Sequence, residues 1–564
     1  MPEKSEKINN SMMIRIMVIF TMILCIIASL VDFINLSKQH NGSRDFSSGW
    51  QLEINHNDYG TVDLDEYSFT DISRKSNISL KNKIPTGIPT FAVVSFPLPI
   101  SAIDVYVNNK LVYSYGSELF NKNKLVGTGL HFIPLPQNSA GKNIWIVIRP
   151  SKDNAFSVLE NVSIISTDQV YSQFLKANSL RFCVSIFLIV FGLLFIIVGL
   201  GLTLYQKKLS SVIHVGITCS AIGTWAMTTA KLMQVLQPNM LENTILEYIS
   251  LYVAPTAFGF FLLSTWKSNY TWRYKLMRFI TYALLIFDIG AIVLQLDNSC
   301  HLPYLLTPFH ILTLIFGISA VLFVRKPKGE VGDSEHALQI GVKALVFSGA
   351  LDIIRYIVSK GIFHKNAGFS SSFIPYGVFV MLVMLIISYY LEIYRIISIE
   401  FEKNTYEKMA FTDQLTGLGN RTMADKDFME YENTKMPYSI IAMDLNNLKI
   451  VNDTLGHNVG DNLLCAFSEI LREAFEPIGK IYRFGGDEFT ILINSEFRGK
   501  EKEHINKMIE LEKEISKEQP FVIDSAYGIA DCMEIDNGNC APIEIYKLAD
   551  RRMYDMKLAS KNQR

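Results

Sequence analysis

The chain has 564 residues, 49% of them hydrophobic and 19% charged, with a mean hydropathy of +0.21. The charged share falls below the roughly 25% usual in soluble proteins, and at about 150 residues per domain the length calls for three or four units, part of them in lipid. A formal net charge of −1 offers no field for a polyanion, so nucleic acid is not an expected partner, and seven cysteines without CxxC spacing argue against a disulfide scaffold or a structural zinc site.

Residues 12–36 hold the first element. The apolar block Ile16 to Val31 follows Lys4, Lys7 and Arg15, the charge order of a signal peptide or a signal anchor. Ala28-Ser29-Leu30 offers no small-x-small cleavage site, which favours an uncleaved anchor helix; the cleaved alternative removes only this helix. Residues 37–178 then read as an exported β-sandwich, with runs such as Phe91–Phe96 and Asn143–Ile148 bounded by Pro, Gly and Asn. Val105 to Tyr113 reads as a hairpin, because Asn108 and Asn109 tolerate the positive φ of a tight turn. No catalytic constellation is visible there.

From Arg181 the composition shifts to seven apolar stretches, each near the roughly 20 residues that span a bilayer core: Arg181–Tyr205, Val212–Leu236, Ile245–Trp266, Phe279–Leu296, Tyr304–Val324, Val342–Val358 and Ile374–Tyr394. Lys207 and Lys208, then Lys267, Arg273, Lys275 and Arg278, then Arg325, Lys326 and Lys328 fall in alternate loops, and only the loop with Lys360 and Lys365 weakens the pattern. The rule places Ser37 to Leu180 outside and everything after Tyr394 inside: a multi-pass protein of the cell (plasma) membrane. Within the spans, Asp352 and Arg355 lie three apart and are expected to pair, while Lys231, Glu247 and Asp288 are candidates for polar contacts or, near span ends, snorkelling.

An exported β domain, seven spans at 181–396 and a cytosolic output module together resemble bacterial seven-transmembrane receptors with diverse intracellular signalling modules. The resemblance covers Gly49 to Arg395 and rests on architecture, with Ile103 to Gly116 similar to that group's hairpin. It implies a jelly-roll-like sensor domain and an extracytoplasmic ligand, carbohydrate-like by analogy and otherwise unidentified. Residues 397–411 follow as a linker helix. Asn404 and Lys408 interrupt the seam of Tyr394, Ile397 and Phe401, so a coiled coil and a solvated linker stay equally open.

The chemistry-bearing residues lie in 412–564. Arg483-Phe484-Gly485-Gly486-Asp487-Glu488-Phe489 sits between two apolar runs that read as strands, and the paired glycines, Gly485 and Gly486, permit a tight turn and close approach of a nucleotide. Tyr438 to Leu445 reads as a buried strand that ends on a carboxylate, Asp444. Carboxylates at a strand end and an adjacent hairpin can share divalent cations, which need hard oxygen ligands and activate a hydroxyl. Asn452 to Asp461 supplies an amide and a carboxylate able to read the guanine edge. Singly, each segment has a bland reading as solvated turn or helix cap.

In this order these elements are similar to the GGDEF domain of diguanylate cyclases, over about Thr405 to Arg564. Asp413 to Arg421 and the terminal Ala549 to Lys557 match the family's entry and closing signatures. The resemblance implies an α/β domain in which Asp444, Asp487 and the carbonyl of Leu445 hold two magnesium ions per site, manganese being the alternative. It implies that Asn452 and Asp461 recognise guanine, that Lys449, Lys557 and Lys561 hold phosphates, and that Arg483 lies near the charge developed in transfer. Glu488 would support the metal cluster, with Asp487, Glu488 and Arg483 as the catalytic set. His457 reads as a turn residue.

The implied activity is condensation of two GTP into cyclic di-GMP and two pyrophosphates by a homodimer, under an external signal. The alternative is a non-catalytic GTP-binding receptor that keeps the fold. Glu476-Pro477-Ile478-Gly479 replaces the family's Arg-x-x-Asp segment, so product inhibition through that site is not expected. Asn446 stands where many members have a second Asp, leaving both principal ligands in place.

Overall fold

A computed structural model describes residues 43–564 apart from 75, 206–209, 267–270, 325–331, 362–371, 435, 536–540 and 563–564. The expected anchor at 12–36, the basic residues Lys207, Lys208, Lys267, Arg325, Lys326, Lys328 and Lys365, and the side chains of Lys360 and Lys561 lie outside the described residues. The chain divides into two units, 1–392 and 393–564.

Alternation builds the first unit's sheets. In β9 (Asn143–Pro150), Ile144, Ile146 and Ile148 are buried while Asn143 and Trp145 face outward. The other strands are β1 (Arg44–Asp45), β2 (Trp50–Ile54), β3 (Asn57–Val62), β4 (Ile78–Lys83), β5 (Ala92–Leu98), β6 (Ser101–Val107), β7 (Lys110–Tyr115), β8 (Gly129–Pro134) and β10 (Ser163–Ser166). They form two antiparallel sheets, β1-β10-β5-β8 and β3-β2-β4-β9-β6-β7. One core, with Trp50, Leu80, Phe96, Val105 and Ile146 among its members, joins the sheets. The β6–β7 hairpin turns at Asn108 and Asn109, with φ of 47° and 62°.

Helices follow at the apolar stretches: α1 (Ser179–Tyr205), α2 (Ser210–Thr229), α3 (Met240–Thr265), α4 (Trp272–Leu296), α5 (Leu306–Val324), α6 (Asp333–Gly361) and α7 (Ile374–Phe411). Among the described residues six elements are long and apolar enough to cross a membrane; α2 is not one of them. The second apolar stretch was expected to run to Leu236, but α2 stops at Thr229 and a short turn covers Leu232–Val235. The cause is Lys231: at φ 60° it leaves the helix and its Nζ reaches Glu247 at 2.8 Å, since a cation that is 6% exposed needs its counter-ion close. Asp352 and Arg355 pair at 3.1 Å, as their spacing suggests. Helix α7 is 38 residues long and includes 397–411, the stretch expected to be a linker helix.

The second unit is an α/β fold. It comprises β11 (Gly419–Asn420), α8 (Arg421–Thr434), β12 (Ser439–Leu445), α9 (Leu448–Leu455), α10 (His457–Phe475), β13 (Gly479–Gly485), β14 (Glu488–Ile493), α11 (Glu501–Ile515), β15 (Ser525–Asp531) and α12 (Pro542–Asn562). The sheet order is β11-β13-β14-β12-β15, with β12 held between two antiparallel neighbours. Every residue of β12 is buried. Ile440 and Ala442 pack with Ala424 and Phe428 of α8 and Ala549 and Met553 of α12, whereas Ile441, Met443 and Leu445 pack with Phe467 of α10 and Met508 of α11.

Candidate active site

The period of two along β12 puts Asp444 on the face of Ile440 and Ala442, the one that α12 covers. Its neighbour across the ladder is Glu488, first residue of β14, and the amide of Leu445 donates to the carbonyl of Asp487 at 2.9 Å. From α12, Lys557 Nζ donates to Asp444 Oδ1 at 2.5 Å. Burial raises the Asp444 carboxyl above its usual range; Asp487 and Asp550 push the same way, and Lys557 opposes them. Burial also raises Glu488, reinforced by Asp487, Asp550 and Asp444 and opposed by Arg421.

The hairpin between β13 and β14 is as tight as its glycines suggest. Gly486 takes φ 54° and Gly485 φ 154°, and a side-chain carbon at either would meet nothing within 4 Å, so this rim of the site is open to an incoming group. Arg483, expected near the developing charge, has its guanidinium engaged: Nη1 donates to Asp413 at 2.9 Å, and Nε and Nη2 donate to the carbonyl of Gly486 at 3.1 and 2.8 Å. Burial opposes ionisation of Asp413, but bonds from Thr416 and Arg483 outweigh it and hold that carboxyl below its usual range. The entry signature thus braces the hairpin.

The remaining candidates lie just beyond β12. Asn447, at φ 63°, turns the chain from Leu445 into α9, which carries an exposed Lys449 and a partly buried Asn452. A Cβ at Gly460 would fall 1.9 Å from Asn452 Oδ1, so α10 lies against the Asn452 side chain of α9, and Asp461, the next residue and exposed, stands at the same corner. His457 is exposed at the start of α10, a turn position. Asn446 donates from its amide to the Asp524 carbonyl at 2.8 Å and from Nδ2 to Asp524 Oδ2 at 3.1 Å, fixing the strand end.

Among the described residues no group of three His, Cys, Asp or Glu side chains is preassembled around an ion position. The donor set nonetheless fits a hard divalent cation: oxygens only, with carboxylates crowded enough to raise one another's proton affinity. Sequence reasoning gave Asp550 no role. Its spacing of seven from Lys557 on α12 puts the two on one helix face, and that signal was available.

The first unit holds a second candidate surface, also missed. On the outward face of the six-stranded sheet, Tyr106 and Trp145 are cross-strand neighbours stacked at 5.0 Å and 28°. Lys81 Nζ lies 5.7 Å from the Trp145 ring, and Trp145 Nε1 donates to Ser79 Oγ at 2.7 Å.

In this α/β sheet two neighbouring strands carry carboxylates at their ends, beside a glycine hairpin and a helix-borne lysine. Residues 410–563 match the family described as diguanylate cyclase, GGDEF domain, and this part of the chain is a GGDEF domain. The chain is 28% identical over 174 residues to a diguanylate cyclase of Vibrio cholerae, an overlap of 29% of this chain and 52% of that protein. It is 32% identical over 162 residues to the signaling protein YkoW of Bacillus subtilis, 28% of this chain and 20% of that one. Among solved structures, the coiled coil and GGDEF domain of DgcB from Caulobacter crescentus in complex with c-di-GMP matches at 20% identity and a TM-score of 0.27, covering 30% of this chain and 91% of that one. The chain thus spans about half or less of these two curated relatives, 52% and 20%.

Proposed function

We propose that the chain is a membrane-bound diguanylate cyclase that condenses two GTP into cyclic di-GMP and two pyrophosphates under an extracytoplasmic signal. The observation that carries this reading is the juxtaposition of Asp444 with Asp487 and Glu488 at the ends of paired strands, with Lys557 between α12 and the site. Two magnesium ions, or manganese, held by Asp444, Asp487 and the Leu445 carbonyl would supply charge neutralisation and lower the pKa of a bound hydroxyl. The chain's own residues do the positioning. Asn452 and Asp461 take the guanine edge, Lys449, Lys557 and Lys561 take phosphates, and open Gly485 and Gly486 admit the triphosphate. Glu488 adds negative charge behind the metal ligands, and Arg483 keeps the hairpin in shape through Asp413.

Each domain holds one GTP, so two must face each other. The 3′ oxygen of one nucleotide attacks the α-phosphorus of the other, its proton is lost, and the bond to pyrophosphate breaks; the second linkage forms in the same way. In the proposed architecture a helix anchor at 12–36, a sensor sandwich at 37–178 and a bundle of seven spans at 181–396 precede a linker at 397–411 and the cyclase at 412–564, with the sensor outside and the cyclase in the cytosol. The exposed Tyr394, Ile397 and Phe401, on one face of α7, support a homodimer seam. The Tyr106–Trp145 pair supports a ring-shaped, carbohydrate-like external ligand, since sugars stack on aromatic faces.

Detergent-solubilised full-length protein incubated with GTP and magnesium should yield cyclic di-GMP by mass spectrometry, and its Asp487→Ala variant should not. GTP binding without product in both, in a dimer, would transfer the assignment to the non-catalytic receptor. A forced monomer should bind GTP and make no product.

A further inference from the structure

The first unit holds a cavity of about 620 Å3 that none of the preceding chemistry uses. Helices α2, α3, α5 and α6 wall it, and loops of the β domain at Pro99–Ile100 and Lys152–Ser157 form its roof. Two ion pairs stand at the roof end, Lys231 to Glu247 at 2.8 Å and Arg355 to Asp352 at 3.1 Å, and Lys152 Nζ donates to the carbonyl of Pro303 at 3.0 Å. These five are all the Lys, Arg, Asp and Glu residues of the lining, and each is engaged.

Three polar groups near those ion pairs are not engaged. The Thr229 hydroxyl, two residues before Lys231, is buried with no hydrogen-bond partner among the described residues. The Tyr248 hydroxyl follows Glu247 in the chain, and the His310 imidazole stands 5.1 Å from the ring of Tyr356, the residue after Arg355. Neither makes a hydrogen bond among the described residues. Further along the same helices the walls turn apolar. Phe258 lies ten residues past Tyr248 on α3, about 15 Å at 1.5 Å per residue, and Phe316, Val321 and Val346 line the same space. That end is open sideways, because Ile318 and Leu322 line the cavity and are also 57% and 38% exposed on the outer surface of α5.

We propose that this cavity binds one uncharged lipophile, with a hydroxyl or carbonyl oxygen at Thr229, Tyr248 and His310 and an apolar body between α3, α5 and α6. Small-molecule sites occupy roughly 300–1,000 Å3 and are mostly apolar with a few convergent polar groups, and this cavity divides in that way along its length. A buried hydroxyl without a partner is costly, and an oxygen of the occupant answers it. A charged head would have to displace a carboxylate or carbonyl that a lining cation already holds, or enter the bundle unmatched, so an occupant without charge fits at the lowest cost. The same chemistry can come from a bilayer lipid entering past α5 or from a soluble lipophile, and the site does not depend on what the other unit catalyses.

The test uses full-length protein in nanodiscs of zwitterionic lipid, with tritiated oleyl alcohol, octadecene and oleyl sulfate as probes and empty nanodiscs as the blank. Oleyl alcohol should bind at one per chain and at least about tenfold more tightly than either of the others. A greasy surface would not prefer it to the hydrocarbon, and a cationic one would prefer the sulfate. Gly349 lines the cavity, and a side-chain carbon there would meet nothing within 4 Å. Gly349→Phe should therefore fill the space and abolish binding, while Gly290→Phe, on α4 and equally unobstructed but outside the cavity, should leave it unchanged. Thr229→Val combined with Tyr248→Phe nearly keeps the volume, removes two hydroxyls, and should bring oleyl alcohol down to the level of octadecene. In native mass spectra of protein taken from the membrane, one uncharged lipid per chain, absent from Gly349→Phe, would support the site with the bilayer as source. An empty site that takes up added oleyl alcohol would support it with a soluble source. Octadecene or oleyl sulfate bound as tightly as oleyl alcohol, retention of the alcohol by Gly349→Phe, or an undiminished preference for it in the double variant would overturn the proposal.

Discussion

The two units each take carboxylates out of water, and they treat them differently. In the first, Asp352 accepts from Arg355 at 3.1 Å, from the amides of Phe373 and Ile374 at 2.9 Å each, and from Ser372 at 2.5 Å. Glu247 has Lys231 at 2.8 Å. In the second, Asp444, Asp487, Glu488 and Asp550 share one another's field, with Lys557 and Arg421 as the cations that oppose it. A carboxylate whose lone pairs are all answered holds structure in place, whereas a cluster left short of cations keeps a binding capacity for one. Asp427 makes the contrast within the second unit itself: it accepts from Lys480 at 2.8 Å and from the Tyr482 hydroxyl at 2.6 Å, and it belongs to the fold.

The sharpest way to break this comparison is to remove one carboxylate of each kind. Asp487→Ala should lower cyclic di-GMP formation by a factor of about 10² to 10³ or more, the scale of losing one preorganised electrostatic group, while the thermal midpoint stays near wild type. Asp352→Ala should do the reverse. Removing the ion pair to Arg355 and uncapping the start of α7 should destabilise the detergent-solubilised protein by about 3 kcal/mol, read as a lowered unfolding midpoint. If Asp352→Ala left the midpoint unmoved, full compensation would not be the mark of a structural carboxylate.

What the sequence made legible were the features that local pattern encodes. β12 stands out as an apolar run closing on Asp444, the glycine hairpin as a break between two such runs, the Asn108-Asn109 turn by residue type, and the Asp352–Arg355 pair by its helical spacing. Features set between elements were hidden. Arg483 meets Asp413 across 70 residues, and Trp145 meets Tyr106 only through strand register. The end of α2 at Thr229 is dictated by Glu247 on the next helix, so hydropathy alone carried that span too far.

A smaller effect sharpens the guanine assignment. Gly460→Ala should push Asn452 Oδ1 aside and raise the KM for GTP about tenfold, the cost of one disturbed hydrogen bond to the base, with kcat nearly kept because no metal ligand moves. Steady-state kinetics separate the two. An equal fall in kcat would place Asn452 in the transfer step instead.

The smallest effect is the most specific to the uncompensated cluster. Burial and mutual repulsion raise both Asp444 and Glu488, so the folded state binds protons more readily than the unfolded one. Their charges therefore cost stability above the raised pKa values, and that cost is relieved as pH falls through the window between the ordinary and the raised carboxyl range. Without divalent cation, Asp487→Asn, which removes a charge beside both groups, should unfold at a slightly higher temperature than wild type at pH 7.5, with the gap closing toward pH 4.5. Added magnesium should reverse the order by stabilising wild type alone, increasingly so as pH rises, because a proton and a divalent ion compete for the same oxygens. A variant less stable than wild type at pH 7.5 without magnesium would mean that Asp487 is answered by the fold after all, and the contrast between the two kinds of carboxylate would fail at its centre.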